Sequence, residues 1–401
     1  MNNFWLMVTF EYKKLMKRKI TWITLALLLG LMVFSACTPI IGDYFINGER
    51  VDSNYNMLKT DIAYAKEISG RKIDDGLLRE AGEAYAKVPD VPLYIATEEY
   101  QAYARPYSEI FNWVRRARLT TGTETVKDLQ DVTEDRLYKE REEAMLRLWE
   151  ADGFSKEEIN YLKAQDDKVE KPMVFAYNET YDQVSSLMYT LGIMQTLLIA
   201  VCIPGIFSEE HVKKTSPLLL TTAYGKRKLY LAKLFTAVTF SLGTNLLLCA
   251  AIILPNLLIF GGEGFSSQIQ TLNPLLPWDL TAGQAVLILI GITLASSLLF
   301  CGLACVLGEK FRSSIPAMSV LVGILLAGIL FNIPDEYPLA AQIWDCLPVN
   351  MAAIWGAFSE NLISLFGRYF TSWQIVPVIY VFLAVLLGIL GGRVYTKTNK
   401  N

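Results

Sequence analysis

The sequence predicts an all-α polytopic membrane protein with six transmembrane helices, an N-terminal amphipathic interfacial helix and a mostly helical extracellular domain. Three observations lead to this prediction: the overall composition, six long uncharged runs and the placement of the basic residues. Of the 401 residues, 52% are hydrophobic and the mean hydropathy is +0.30. Ordinary soluble domains are less apolar than this.

Six apolar runs are long enough, or nearly so, to cross a bilayer, which takes about 20 residues at about 1.5 Å each. None of them contains a Lys, Arg, Asp or Glu, and they cover residues 20–41, 184–207, 234–260, 284–307, 314–333 and 375–392. A charge at the centre of a membrane helix costs about 2.5–3.5 kcal/mol, so their absence favours lipid-embedded helices. Buried core helices of a soluble protein rarely run this long without charge.

The charges are distributed unevenly along the chain. Residues 42–182 hold 20 Lys or Arg and 30 Asp or Glu, whereas the two termini and residues 208–228 are basic. The positive-inside rule places the basic segments in the cytoplasm and the acidic block outside. The predicted location is therefore the cell membrane, multi-pass, with both termini cytoplasmic. The basic residues expected at the membrane surface are Lys13, Lys14, Lys17, Arg18, Lys19, Lys226, Arg227 and Lys228.

These signals define a complete set of segments. The cytoplasmic segments are an amphipathic interfacial helix 1–19, loops 208–228 and 308–313, and a tail 393–401. The transmembrane segments are TM1 20–41, TM2 183–207, TM3 229–260, TM4 284–307, TM5 314–333 and TM6 372–392. The outer segments are a helical domain 42–182 and loops 261–283 and 334–371. A cleaved signal peptide is the alternative for the first run, but that run is longer than a usual signal core.

Two outer segments have features of their own. The domain 42–182 shows apolar residues three and four apart, which predicts helices that include residues 97–118. Ser155 and Glu158 form a capping-box pattern, and the many aromatic residues are expected to form the core of this domain. Loop 334–371 is apolar but is interrupted by Pro348, which predicts a re-entrant or interfacial hairpin.

The sequence lacks the residues that most catalytic sites need. No GxxxxGK[ST] phosphate loop occurs, and His211 is the only histidine. Glu209 and Glu210 are adjacent, so on a helix they point about 100° apart and do not converge on one atom. We therefore expect no enzyme activity, no metal site and no cofactor in this chain, and no nucleic-acid partner.

Two amides stand out inside the apolar runs. Gln195 lies in the second run and Asn245 lies in the third. Either residue is a candidate for a polar position on a transport pathway. Hydrogen bonding between helices is the alternative for both.

The segment from Phe207 to Lys233 carries the most specific pattern. It reads Phe207-Ser208-Glu209-Glu210, then Lys214-Thr215, Leu218–Thr222, Tyr224-Gly225-Lys226-Arg227-Lys228 and Ala232-Lys233. This pattern resembles the loop after the second helix in permease subunits of ABC-2 type ABC transporters. The layout of the whole chain is similar to the bacterial six-helix form with a large extracellular domain between the first two transmembrane helices. The chain departs from many relatives in having Lys214-Thr215 where they have Gly-Thr.

The resemblance implies a division of labour. ATP and Mg²⁺ would bind a separate ABC ATPase subunit that docks on the cytoplasmic loop 208–228, and this chain would be a permease of an exporter. The residues implied in coupling to the ATPase are Glu209, Glu210, His211, Thr215, Tyr224 and Gly225. A second permease copy or a related permease, and the lipid bilayer, are the other implied partners.

The residues also suggest local roles within that loop. Glu210 suits either a basic residue of the partner or the first turn of a short helix, and Tyr224-Gly225 suits a tight turn. The alternative function is a force-transmitting or sensing membrane subunit that uses the extracellular domain and passes no substrate itself. A membrane enzyme would need acids or histidine at membrane level, and the six runs contain neither.

Overall fold

The computed structural model describes residues 2–46, 48–120, 124–215, 227–331, 333 and 338–397. Within these ranges the chain is largely helical, with little sheet. The α-helices within these ranges are α1 (Asn2–Lys17), α2 (Lys19–Cys37), α3 (Asn54–Ile68), α4 (Asp75–Tyr85), α5 (Ser108–Ala117), α6 (Glu134–Ala151), α7 (Lys156–Asp166), α8 (Glu179–Cys202), α9 (Pro204–Val212), α10 (Arg227–Phe260), α11 (Ala282–Phe311), α12 (Ser314–Leu330), α13 (Pro338–Asp345), α14 (Ile354–Ala357) and α15 (Ser372–Lys397). The strands pair as two antiparallel hairpins, β1 (Asp43–Ile46) with β2 (Glu49–Ser53) and β3 (Leu362–Leu365) with β4 (Arg368–Thr371).

The chain divides into two compact units. The first unit contains Met1–Ala36, Ser185–Pro255 and Leu287–Asn401, and the second contains Cys37–Val184 and Asn256–Val286. The second unit therefore joins most of the acidic block to the segment that follows α10. Each unit is described separately below.

Five helical segments are long and apolar enough to cross a membrane, which fits a multi-pass membrane protein. They are Lys19–Ile40, Glu179–Val212, Arg227–Phe260, Ala282–Phe311 and Ser372–Thr396. The segment predicted as TM5 begins with α12, an apolar helix of 17 residues that ends at Leu330, three residues before the predicted end. At about 1.5 Å per residue it has the minimum length for a span.

Several helices extend past the predicted ends of the apolar runs. The helical segment after residue 179 continues to Val212, so Ser208–Val212 are helical and not part of a loop. Pro204 is tolerated because it stands at the first position of α9, where its missing N–H is not needed. Hydropathy marks the part of a helix in lipid, whereas backbone hydrogen bonding continues into the polar flanks.

Residues 338–371, within the predicted re-entrant or interfacial hairpin, contain two short helices and a β-hairpin. Helices α13 and α14 are followed by the β3–β4 hairpin, whose Phe366-Gly367 turn has positive φ at both residues. The Tyr380 hydroxyl donates to the Cys346 carbonyl at 2.6 Å, which ties this segment to α15. Residues 334–337 of the predicted outer loop lie outside the described residues.

The second unit has its own hydrophobic core. Tyr94, Phe111 and Trp113 belong to it, which confirms that aromatic residues build this domain. Phe45, Tyr55 and Tyr103 are exceptions, because they are exposed. The segment predicted as a helix over 97–118 is helical over residues 98–117, but its turns change from a π-helix (Tyr100–Ala104) to a 3-10 turn that contains Pro106 and then to α5. The Ser155–Glu158 capping box is confirmed.

Buried hydrogen bonds from Arg141 and Trp113 fix the core of the second unit to its later segment, and Arg141 also forms a buried ion pair. Both guanidinium ends of Arg141 contact the carboxylate of Asp166, at 2.8 and 3.0 Å. Arg141 Nε also donates to the Pro274 carbonyl at 2.6 Å, and Trp113 Nε1 donates to the Gln270 carbonyl at 2.9 Å. Residues 256–286 are therefore an integral part of this unit.

Candidate functional site

A buried charge cluster lies inside the first unit, where α1, α9 and α10 meet. We define the charge cluster as Glu11 and Lys14 of α1, Glu210 of α9 and Lys233 of α10. Lys233 is 0% exposed and Glu11 is 2% exposed, so both charges are withdrawn from solvent. Charged side chains are almost never this buried unless they are paired.

Each ammonium group of the charge cluster contacts both carboxylates. Lys233 Nζ lies 3.2 Å from Glu11 Oε2 and 2.9 Å from Glu210 Oε1. Lys14 Nζ lies 2.6 Å from Glu11 Oε1 and 2.9 Å from Glu210 Oε1. Lys233 also donates to the Ile206 carbonyl at 2.9 Å. The four groups thus form a closed, charge-balanced arrangement that joins three helices.

The energetics of this arrangement depend on its completeness. Burying ions is costly, and the mutual attraction offsets that cost only when all partners are present. Burial alone would lower the pKa of Lys14, but Glu11 and Glu210 outweigh that effect and hold its pKa above the ordinary value of 10.5. Lys14 therefore stays charged at neutral pH.

A second ion pair lies next to the charge cluster. Arg18 Nη2 contacts Glu209 Oε2 at 2.7 Å and also donates to the Gly205 carbonyl. A Cβ at position 205 would approach Arg18 Nη1 to 2.0 Å, so this contact needs glycine. Lys213 adds a contact to Glu209 at 2.5 Å from the solvent side.

His211 reaches a fourth helix. Its Nε2 lies 2.9 Å from Oε1 of Glu309, a fully buried carboxylate near the end of α11. Next to this pair, a Cβ on Gly308 would approach the Pro204 carbonyl to 2.7 Å, so α11 and α9 are in backbone contact. Helix α9 is therefore held to α1, α10 and α11 at once.

Helix α1 also packs on α10 through apolar and aromatic contacts. Val8 and Leu15 are buried, whereas Trp5 and Phe10 are largely exposed. The Trp5 ring stands edge-on to the Phe235 ring at 5.5 Å. This two-sided character agrees with the predicted amphipathic helix, because exposed aromatic residues suit a bilayer interface.

The placement of Glu210 and Thr215 differs from the sequence expectation. Glu210 lies in the last turn of α9, not the first, and its basic partners come from the same chain. A carboxylate at a helix C-terminus is unfavourable, and the two lysines compensate for this. Thr215 N donates to the Glu210 carbonyl at 3.0 Å and so closes the end of α9.

The remaining predicted loop and surface residues fall into two groups. Tyr224, Gly225 and Lys226 lie outside the described residues. The others that remain solvent-exposed, as a membrane-surface role requires, are Lys13, Lys17, Lys19, Arg227 and Lys228. Lys14 and Arg18 are instead turned into the ion pairs described above.

Gln195 and Asn245 both join helices in this single chain. Gln195 Nε2 donates to the Ser241 carbonyl of α10 at 2.7 Å. Asn245 Nδ2 donates to Ser297 Oγ of α11 at 3.1 Å. Both amides are buried, and their place on a transport pathway stays a prediction.

Sequence reasoning missed three members of this site. Glu11 is the first acid in the chain and stands among lysines, and the next acid is Asp43. An acid isolated in this way was the available signal that it has a specific partner. Lys233 stands at the end of the family-like pattern and directly before an apolar run, but the sequence assigned it no role in the site. Glu309 lies just after the apolar run 284–307, and the sequence likewise assigned it no role in the site. Pairing between such distant residues cannot be read from spacing.

The second unit contains a separate cavity of about 350 Å³. Its lining includes the acids Asp61, Glu109, Glu179 and Asp182 and the base Arg116. Burial raises the pKa of Glu109, against the opposing effect of Arg116. In the part of the chain that the structure describes, no group of three or more His, Cys, Asp or Glu residues could hold a metal ion.

The two ammonium groups and two carboxylates of the charge cluster pair with one another across α1, α9 and α10. Comparison with known proteins finds no matching family model, no matching curated protein and no matching solved structure.

Proposed function

We propose that the chain is the permease subunit of an ABC transporter of the export type, driven by a separate ATPase subunit that docks on residues 208–228. The observation that carries the proposal is the charge cluster. It binds α9, which leads into the docking segment, to the interfacial helix α1 and to the transmembrane helix α10. A push on this segment therefore acts on several helices.

The ion pairs provide the mechanical link. Moving α9 away from both α1 and α10 would break the contacts of Glu210 with Lys14 and Lys233 and leave its carboxylate unpaired in a low-dielectric interior, which costs several kcal/mol. Moving α9, α1 and α10 together avoids that cost. Arg18–Glu209 and His211–Glu309 extend the same constraint to the end of α1 and to α11.

The membrane topology that goes with this function has six crossings. Five are the long apolar helical segments, and α12 supplies the sixth. With both termini in the cytoplasm, α1, α9 and the start of α10 face the ATPase, and the second unit is extracellular. ATP and Mg²⁺ bind the ATPase, and a second permease copy or a related permease completes the pathway in the cell membrane.

The test is a substitution that breaks the link without changing shape. Glu210→Gln should insert, fold and retain the ATPase, but ATP binding should no longer move α1. The readout is maleimide labelling of a Leu6→Cys variant with Cys37 and Cys346 replaced by serine, with and without a non-hydrolysable ATP analogue. Lys17→Gln is the matched control, because it removes an exposed charge from α1, the helix that carries the labelled cysteine.

The proposal expects an ATP-dependent change in labelling rate in the parent and in Lys17→Gln, and its loss in Glu210→Gln. An equal ATP response in all three proteins would remove Glu210 from the coupling role. Absence of an ATP response in the parent would contradict the mechanism itself.

A second candidate is a sensing or force-transmitting subunit that passes no substrate. The cavity of about 350 Å³ in the second unit favours it, since this unit has its own core and an acid-lined recess. Reconstitution into vesicles distinguishes the two functions. Transport by vesicles that contain only this chain and its ATPase supports the permease function. ATP hydrolysis without any transport, but with a response to an outer ligand, supports the sensor.

A further inference from the structure

A groove of about 610 Å³ runs along the first unit between α10, α11 and α15. Glycines shape its floor, namely Gly302 of α11 and Gly388 and Gly392 of α15. The Tyr230 hydroxyl donates to the Gly388 carbonyl, and a Cβ on Gly392 would approach Tyr230 Cε1 to 3.0 Å. The helices are therefore in close contact beneath the groove, and the groove is a fixed feature of the packing.

The walls of the groove are apolar along most of its length. Leu231 and Leu234 come from α10, and Val381, Val385 and Ile389 come from α15. Leu231, Val385 and Ile389 are exposed. A small polar ligand would find few hydrogen-bonding partners there, whereas a hydrocarbon chain would bury apolar surface on both sides.

One end of the groove is cationic. Arg227, the first residue of α10, and Arg393, in the last turns of α15, both line it, and Thr396 lies with them. Neither guanidinium forms an ion pair with any residue that the structure describes, whereas Arg18 of the same unit is paired. A guanidinium is the side chain best suited to bind phosphate through two parallel hydrogen bonds.

We infer that the groove binds an anionic glycerophospholipid of the bilayer, with its phosphate at Arg227 and Arg393 and one acyl chain against Val385 and Ile389. Charge complementarity at one end and apolar walls along the rest match a molecule with an anionic head and a hydrocarbon tail. The inference does not depend on the proposed ATPase. Because α10 also carries Lys233, the lipid braces the helix that holds the charge cluster.

The experiment uses the purified full-length chain and native mass spectrometry. Phosphatidylglycerol and phosphatidylcholine with identical acyl chains are added separately, and inorganic phosphate is added as a competitor. Arg227→Gln/Arg393→Gln removes the cationic end, and Val385→Trp fills the groove. Lys139→Gln/Lys156→Gln is the control, since it removes two exposed charges from the second unit.

We expect the parent and the control to retain phosphatidylglycerol at least tenfold more than phosphatidylcholine. The double arginine variant should lose that preference, and Val385→Trp should reduce phosphatidylglycerol retention to a similar extent. Equal retention of both lipids by the parent would overturn the inference, as would an unchanged preference in either groove variant. Complete displacement by inorganic phosphate would indicate a free-anion site and would also overturn it.

Discussion

Lys233 is the residue on which the charge cluster depends most. It is fully buried and contacts both carboxylates as well as the Ile206 carbonyl. Its removal would leave Glu11 and Glu210 to share Lys14, with one negative charge uncompensated. An unpaired buried charge is among the few single changes that destabilise a protein severely.

We predict that Lys233→Met lowers the free energy of unfolding by about 3–5 kcal/mol, because it removes one partner of a buried network. Thermal unfolding of the purified protein in detergent measures this. Lys17→Met, at an exposed position, should change stability by at most about 0.5 kcal/mol.

The double variant Lys233→Met/Glu11→Gln sharpens this test. It removes one charge of each sign, so it should be more stable than Lys233→Met alone. A Lys233→Met protein with the unfolding temperature of the parent would contradict the charge cluster. So would strict additivity of the two substitutions.

Asp166 of the second unit gives a pH-dependent prediction. Burial would raise its pKa, but hydrogen bonds and charge from Arg141 and Lys171 outweigh it, so the pKa lies below the ordinary value of 3.8. A depressed pKa means that the carboxylate stabilises the fold at pH values above 3.8. This contribution is lost as the pH falls through the folded-state pKa.

We therefore expect Asp166→Asn to be clearly less stable than the parent at pH 7, with a deficit that shrinks as the pH falls below 3.8. Thermal unfolding of both proteins from pH 7 to pH 3 measures the difference. Glu143→Gln, on the exposed face of α6, serves as the control. A deficit that grows toward acid would show that the Arg141–Asp166 pair has been misjudged.

Helix α9 is the element that connects the site, and glycine allows its approach to α11. A Cβ at Gly308 would lie 2.7 Å from the Pro204 carbonyl and 2.9 Å from its Cα. Both of these are backbone atoms, so rotation of a side chain cannot relieve the clash. The two helices would have to separate.

We predict that Gly308→Ala destabilises the protein by about 1–3 kcal/mol, the usual cost of overpacking. Gly291→Ala in the same helix is the matched control, because nothing lies within 4 Å of its added Cβ. The control should be neutral or slightly stabilising, since alanine favours a helix more than glycine does. Thermal unfolding of Gly308→Ala and Gly291→Ala measures the difference in stability. Equal stability of the two variants would contradict the α9–α11 contact.

Sequence reasoning succeeded and failed at the element scale for identifiable reasons. Uncharged runs identified the apolar helices, because burial in lipid demands both length and the absence of charge. The same criterion placed the end of TM2 at residue 207, although the helical segment continues to Val212. Hydropathy falls at Ser208, whereas ion pairs from α1 and α10 support the polar turn beyond it.

The contacts of the candidate site were harder to predict from the sequence than the ends of the helices. Glu210 and His211 were recognisable from the local pattern, but their partners Lys233 and Glu309 are distant in the chain. Glu11, which pairs with Lys233, is also distant. Only the packing of α1, α9, α10 and α11 brings them within 3.2 Å. The β1–β2 hairpin was missed for a different reason, since its short strands alternate too little to stand out.

At the scale of the whole molecule, the two units place the acidic block and most of the apolar helices in different parts of the structure. The acidic block and residues 256–286 form one unit, although α8 and most of α10 separate them in sequence. The segments that flank the apolar helices on the basic side belong to the other unit.

The central claim is that an ATPase subunit binds residues 208–228, and site-specific photo-crosslinking in native membranes tests it most directly. A photoreactive amino acid replaces Lys213, whose side chain is 65% exposed at the end of α9. A second protein carries it at Leu93 in the second unit, which is 64% exposed. Adducts are purified and identified by mass spectrometry.

The account predicts a crosslink from position 213 to a separate ATP-binding subunit, and no such crosslink from position 93. An ATPase adduct at position 93, or no ATPase adduct at position 213 in membranes where the chain is folded and abundant, would contradict it.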